Sequence, residues 1–524
     1  MLSQSLQDIL PLIRCPSHYL GTEINALRKD PQKVRLRFAL AFPDLYEVGM
    51  SHVGIQVLYH ILNARQSIAA ERVFAPRLDL EARLRAGGIP LCSLESGTPV
   101  SRFDIVGFSL LYELNFSNVI GMLNLSGLPL YARDRDETHP FVIAGGPCAF
   151  NPEPMADFFD VMVVGDGETV VLELADAWLA WKDSGAGREA LLKTWSNLQG
   201  VYVPSFFQAS AVSKGLQIVT PRFPEYGTVN KALVTDLNQI SLPTRPVVPF
   251  GKPIHDRLSL ELCRGCTRGC RFCQAGMIYR PVRERAPGKI LSWARQALAS
   301  TGYEEVSLLS LSTGDYSAIH VLVERLMNRL APERIAVSLP SLRVGSLTTE
   351  LMEQIKRVRK TGFTVAPEAG SDRLRRVINK NVSEQSLEET VEYVRGRVAF
   401  GSALAGHQAV SFALAEADTW LELARWQCYR VLWLREQGAP CQREGAMAKW
   451  WSPKMAAEVI HKCLLLHGHM GYRTELPHQQ RLRDVIGWQI GDGSEEVMKL
   501  IITRELFGSG SGKASRQGAS SATG

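Results

Sequence analysis

The alternation of apolar and polar positions changes along this chain, and each change marks a different architecture. In the first third, short apolar runs alternate with amphipathic ones. Val34–Phe42, V-R-L-R-F-A-L-A-F, predicts a strand, and His52–Leu62 predicts a helix. Ile105–Leu111 predicts a second strand, followed by a helix around Val119–Leu125. Pro140–Ala144 predicts a third, ending in Gly145-Gly146-Pro147. Val161–Val164 predicts a fourth, closing on Gly165-Asp166-Gly167-Glu168 before a helix over Val170–Trp181. Strands alternating with helices predict a parallel, Rossmann-like sheet over residues 34–185, behind an amphipathic lead-in at 1–33. Ligands of such sheets bind beyond the carboxyl ends of the strands. Gly145-Gly146 is therefore read two ways, as a tight strand exit or as backbone that closes on a ligand.

A Pro- and Gly-punctuated linker follows at 186–255, and then the strand–helix rhythm returns. Strands are predicted at Leu258–Leu262, Glu305–Leu311, Arg334–Leu339 and Phe363–Ala366, with helices at Ile290–Ala299, Ala318–Leu330 and Thr349–Arg359. This predicts part of a (β/α) barrel over 256–390, with polar residues at the carboxyl ends of its strands, where parallel barrels keep their chemistry. Near residue 390 the apolar period becomes 3.6 throughout, as in Phe412–Leu434, Glu444–His467 and His478–Gln489. A last helix starts near Ser494 with Glu495 and Glu496 in its first turn, where the helix dipole favours them. Four amphipathic helices predict an all-α bundle over 391–508, and the Gly- and Ser-rich end at 509–524 predicts a disordered tail. The expected fold class is α/β plus all-α.

Composition adds little to this picture. A hydrophobic share of 45% and a charged share of 21% over 524 residues suit several packed cores. A net charge of +6 without a long basic run does not argue for a nucleic-acid partner. No apolar stretch is long enough to span a bilayer, and Met1–Arg14 carries Gln4, Gln7 and Asp8 without a cleavage-type apolar region, so a cytoplasmic protein is expected.

The chemistry is concentrated in Glu261–Arg280. Four of the ten cysteines fall there, Cys263, Cys266, Cys270 and Cys273, the last three spaced Cys-x3-Cys-x2-Cys. Thiolates are the soft ligands that iron–sulfur clusters need, and the short spacings aim them at one small core. Three ligands leave one iron of a four-iron cubane open, with Cys263 as a spare. A structural zinc site and a disulfide pair are the plainer alternatives. Phe272 is expected to shield the cluster, and Arg264, Arg268 and Arg271 to offset its negative charge.

With this loop the chain resembles the radical S-adenosylmethionine enzymes, and up to about Glu388 those members that carry an N-terminal cobalamin-binding-type domain. The resemblance implies that Cys266, Cys270 and Cys273 hold a [4Fe-4S] cluster whose open iron chelates S-adenosylmethionine. It also implies one-electron cleavage of the sulfonium, a small-molecule substrate and an electron donor such as a flavodoxin or ferredoxin. Thr313, Gly314 and Asp315 match the turn that binds the amino group of S-adenosylmethionine, and Glu368 and Ser371 the stretch that reaches its ribose and carboxylate side. Glu368 is also read, with Asp372, as a helix N-terminal cap. Gly145 and Gly146 match the last part of the cobalamin domain, and cobalamin would bring methyl transfer to an unactivated carbon. The Asp-x-His-x-x-Gly cobalt-ligand motif is absent, and Met50-Ser51-His52-Val53-Gly54 lacks its aspartate, so His52 reads as a helix-start residue. The family's barrel has six strand–helix units, and four are predicted here.

Arg395–Val410, Leu466–Tyr472 and Arg481–Met498 are similar instead to the C-terminal domain of acyl-CoA dehydrogenases. That resemblance implies FAD contacts from Arg397, Phe400, Gln408, Ser494 and Glu496, and an α-proton base at Asp492. Leu465 and His469 depart from its pattern. An FAD-dependent acyl-CoA dehydrogenase is thus the second functional reading, a scaffold or homo-oligomerising bundle the plainer one, and an inactive join of two fragments the third.

Overall fold

The computed structural model describes residues 4–211, 217–251, 253–341, 349–355, 357–358, 398–399, 402–403, 408–473, 476–491 and 493–507. The chain divides into two compact units, Met1–Pro367 and Glu368–Gly524. The predicted strand at 363–366 and the tail at 509–524 lie outside the described residues, as do Glu368, Ser371, Arg397, Phe400 and Asp492.

After a helix at Gln4–Ile9 and short helical turns, the first unit runs through β1 (Leu36–Phe42), α1 (Val53–Asn63), β2 (Ile68–Phe74), α2 (Leu78–Gly87), β3 (Ile105–Ser109) and α3 (Phe116–Leu125). It continues with β4 (Phe141–Gly145), β5 (Val161–Val163), α4 (Gly167–Ser184) and β6 (Val201–Tyr202). These strands form one sheet in the order β2-β1-β3-β4-β5-β6. All pairings are parallel except β5 with β6. The chain crosses over between β1 and β3, which is the topological switch where such sheets bind ligands. β1 and β4 are apolar almost throughout because helices cover both faces of the sheet. Fully buried Trp178 and Trp195 close one side, and Trp195 meets Phe141 edge-on at 4.9 Å between ring centroids.

β2 and α2 escape the sequence pattern. The strand reads I-A-A-E-R-V-F, and its central Glu71-Arg72 breaks the apolar run. Arg72 is nevertheless only 1% exposed, because Glu23 and Glu95 meet it inside the core. The linker region also holds a short helix, Arg188–Ser196, and an antiparallel hairpin of Phe207–Ala211 with Gln217–Pro221.

A second sheet in the same unit contains β7 (Leu258–Glu261), β8 (Glu305–Leu309) and β9 (Ala336–Ser338), parallel and in the order β9-β8-β7. α5 (Pro287–Thr301) and α6 (Ile319–Leu330) connect them, and a helix at Thr349–Ile355 follows. α6 lays Leu322, Val323, Leu326 and Met327 on the sheet, an i, i+1, i+4, i+5 stripe that the sequence period predicts.

The second unit holds α7 (Gln408–Glu436), α8 (Gln442–Leu466), α9 (His478–Ile490) and α10 (Glu495–Phe507), and α8 packs against the other three. Among the described residues its buried apolar cluster is Ala417, Val459 and Cys463, while Phe412, Trp426, Trp433, Trp488 and Phe507 are exposed. Among the described residues, no helix is long and apolar enough to cross a membrane.

Candidate functional site

The cysteine loop leaves the carboxyl end of β7 and is closed by backbone pairing. Cys263 and Arg264 pair antiparallel with Glu284 and Arg283. Gly265 has φ +93, and a Cβ there would stand 2.7 Å from the Tyr279 carbonyl oxygen, so only glycine lets the loop turn against the returning strand. Cys266, Cys270 and Cys273 are half-buried, form no disulfide and belong to this one loop, and the Cys273 N–H donates to the Cys270 carbonyl at 3.1 Å. Among the described residues no group of three or more His, Cys, Asp or Glu is gathered as a metal site. The donor set still fits an iron–sulfur cluster, since three soft, accessible ligands share a short glycine-bearing loop. Such sites commonly close only as the metal binds. Cys263, the expected spare, is buried, and burial pushes its thiol up to about 11.

Phe272, on the loop, is 55% exposed. One expectation for this loop is corrected. Arg264 does not offset cluster charge, because three carboxylates already hold it. Its guanidinium donates to Glu261 at 2.8 Å, to Asp166 at 3.0 Å and to Glu168 at 2.5 Å. Arg283 also meets Asp166, and Arg285 donates to Glu261 at 2.7 Å. Burial works to raise Asp166 and Glu261, but the arginines outweigh it and hold both carboxyls below their ordinary range. The Gly-Asp-Gly-Glu turn of the first sheet is thereby bolted to the loop of the second.

Thr313, Gly314 and Asp315 form a short turn beyond β8. Thr313 is fully buried; its hydroxyl donates to the Leu308 carbonyl at 3.2 Å and accepts from Ser310 at 3.1 Å, so its side chain holds the turn and faces no opening. Asp315 accepts the Arg268 guanidinium as a two-point pair, with Nε at 2.7 Å. This pair joins the cysteine loop to the turn.

Gly145 and Gly146 stand at the end of β4. Gly146 has φ +109, and a Cβ would lie 2.5 Å from the Leu110 carbonyl oxygen, so the strand exit by itself requires it. Both glycines also line a cavity of about 690 Å³ between the carboxyl ends of the two sheets. Cys263, Arg264 and Gly265 form part of the same wall. Sequence reasoning missed this chamber, because its lining is assembled from apolar side chains of separate strands.

His52 precedes α1 as its N-cap, without a capping side-chain bond, and also faces the cavity. Its Nδ1 is buried with no hydrogen-bond partner, and burial brings its pKa down to about 4. Between that value and the ordinary 6.5, the unfolded chain binds more protons than the folded one, so stability rises with pH across this window. We expect acidification from pH 6.5 to 4 to lower the urea midpoint of wild type, and His52→Phe to flatten that dependence. Equal slopes in the two proteins would refute the assignment.

In the second unit Gln408 opens α7 and is exposed, and the Ser494 hydroxyl donates to Glu496 at 2.7 Å. The two residues expected at a flavin thus bond each other.

Residues 54–204 match the family model "Radical SAM proteins, N-terminal", and residues 260–401 match "Radical SAM superfamily". Residues 360–507 match "Acyl-CoA dehydrogenase, C-terminal domain", overlapping the second match at 360–401. An uncharacterised protein of Methanocaldococcus jannaschii is 28% identical over 363 residues, 68% of this chain and 66% of that one. An acyl-CoA dehydrogenase of Bacillus subtilis is 35% identical over 127 residues, and the human mitochondrial short-chain enzyme 33% over 126. These alignments take in 24% of this chain and 34% and 31% of the respective dehydrogenases, so the chain spans about a third of their length. Among solved structures, the acyl-CoA dehydrogenase of Geobacillus kaustophilus is 38% identical over 23% of this chain and 32% of that one, with a TM-score of 0.23. The radical SAM matches indicate an enzyme. The chain carries an N-terminal and a core radical SAM domain followed by an acyl-CoA dehydrogenase C-terminal domain.

Proposed function

We propose that this is a radical S-adenosylmethionine enzyme in which Cys266, Cys270 and Cys273 hold a [4Fe-4S] cluster. One observation supports it most: three cysteines outside any disulfide share a hairpin-closed loop at the carboxyl end of β7, inside the segment that matches the radical SAM model. When bound, the cluster and S-adenosylmethionine supply one-electron chemistry for attack on an unactivated C–H bond. The chain's own residues position. Asp315 receives the ammonium of S-adenosylmethionine in exchange for Arg268, Gly314 leaves room beside it, and Thr313 keeps the turn stiff. Glu368 and Ser371 reach its ribose and carboxylate side. A flavodoxin- or ferredoxin-like donor supplies the electron.

A second reading, FAD bound by Arg397, Phe400, Gln408, Ser494 and Glu496 with Asp492 as base, is favoured by the dehydrogenase match alone. The exposed tryptophans of the helical unit favour instead a scaffold that pairs with a second copy of the chain. A protein that stays colourless after FAD addition removes the flavin reading.

The test of the main reading is anaerobic reconstitution with iron and sulfide, then S-adenosylmethionine and dithionite. We expect about four irons per chain, and release of methionine and 5′-deoxyadenosine that Cys270→Ala abolishes. An iron-loaded chain that leaves S-adenosylmethionine intact would sink the enzymatic reading.

A further inference from the structure

The cavity between the two sheets has charged groups in its wall, yet their charges cancel in place. Asp166, Glu168 and Glu261 are held by Arg264, with Arg283 and Arg285 behind them. Arg257, also in the wall, donates to Glu305 at 3.1 Å. Four carboxylates thus meet four guanidiniums. The rest of the lining is mainly apolar, with Phe38, Leu40, Val57, Ile143 and Leu309 among it, while His52, His255, Tyr279 and several serines, Ser109 and Ser259 among them, add polar groups.

A charged ligand entering this space would lose its hydration and would find the carboxylates and guanidiniums of the wall already paired with one another, although the buried Arg257 Nε has no hydrogen-bond partner. Binding would require breaking a buried pair, and leaving one charge of such a pair alone is strongly unfavourable. An uncharged ligand meets no such cost and gains from covering the apolar wall. The volume lies within the range of sites for single small molecules. Cys263–Gly265 belong both to this wall and to the start of the cysteine loop, so a molecule here lies next to the loop.

We propose that the cavity binds an uncharged, mainly apolar small molecule, an aromatic or alkyl unit with few hydroxyl or carbonyl groups, and that this molecule is the substrate. The term substrate rests on the radical reading above; the binding does not.

The test uses the full, cluster-free chain and two dyes of the same ring system, uncharged N-phenyl-1-naphthylamine and anionic 1-anilinonaphthalene-8-sulfonate. Leu309 and Leu311 line the cavity and are 38% and 42% exposed, so a larger side chain at either fills the chamber from its rim without overpacking the core. Leu309→Trp and Leu311→Trp are each expected to weaken the saturable binding of the uncharged dye by about tenfold or more through loss of ligand volume. The isotherm of the sulfonate should stay as in the parent. Far-UV circular dichroism selects the folded variants, and two are used so that one misfolded protein does not decide the matter. An uncharged-dye isotherm unmoved in both variants, or a sulfonate isotherm weakened with it, overturns the proposal. Dye displacement in a chain that cannot cleave S-adenosylmethionine upholds the chamber and removes its reaction. Cleavage with unchanged dye isotherms overturns the chamber and leaves the radical chemistry standing.

Discussion

Replacing Arg72 with methionine is expected to destabilise the first unit by about 3–5 kcal/mol, the cost of removing one partner from a buried ion pair. The guanidinium is enclosed by the core, where it donates to Glu95 at 2.6 Å and to Glu23 at 3.0 and 3.1 Å. Tyr46 donates to Glu23 as well, at 3.0 Å, and the Tyr59 ring lies 5.5 Å from the guanidinium carbon. Without the arginine, two buried carboxylates face each other and at least one must take up a proton. Burial already raises Glu95 even with Arg72 present. A carboxyl raised in the folded state binds more protons there than in the unfolded chain, so stability falls as pH rises through and above the ordinary range. The variant should therefore lose most stability near pH 7 and regain part of it near pH 5. Urea unfolding followed by circular dichroism measures this. A midpoint equal to wild type at both pH values would show that the triad contributes nothing.

Arg264→Gln is the second large effect. Arg283 still meets Asp166 and Arg285 still meets Glu261 in the variant, but Glu168 loses the Arg264 bonds at 2.5 and 3.2 Å. The expected cost is about 3 kcal/mol, at the lower end for a broken buried pair because the glutamate can relax toward the cavity. The loss falls on the contact that bolts the cysteine loop to the first sheet. Amide hydrogen exchange across residues 258–285 should therefore speed up, while β1 and β4 keep their protection. Lys at this position is not expected to rescue, since one ammonium cannot reproduce a planar fork that reaches three carboxylates. Unchanged exchange in the loop would mean that the bolt is dispensable.

The parts legible in sequence were those with local signatures. The apolar runs of β1, β3, β4 and β5 mark the first sheet because helices cover both of its faces. The cysteine loop is legible because ligand chemistry demands close spacing. β2 was hidden because its charged centre is neutralised by residues 49 and 23 positions away, which no local pattern records. The partners of Arg264 were hidden for the same reason, lying 96 and 98 positions away. Thr313 shows a different limit. A polar residue after a strand looks the same in sequence whether it faces a ligand or, as here, ties down its own turn. The Gly145-Gly146 pair falls between these cases, since Gly146 is required by the strand exit whatever lies in the cavity beside it.

The account stands most directly on whether the Cys266–Cys270–Cys273 loop holds a cluster with an open iron. Electron paramagnetic resonance of the reconstituted, dithionite-reduced chain, recorded with and without S-adenosylmethionine, measures this. We predict a reduced-cluster signal that shifts when S-adenosylmethionine is added and that Cys270→Ala removes. A chain that gives no cluster signal, or one that S-adenosylmethionine leaves unmoved, would contradict the account.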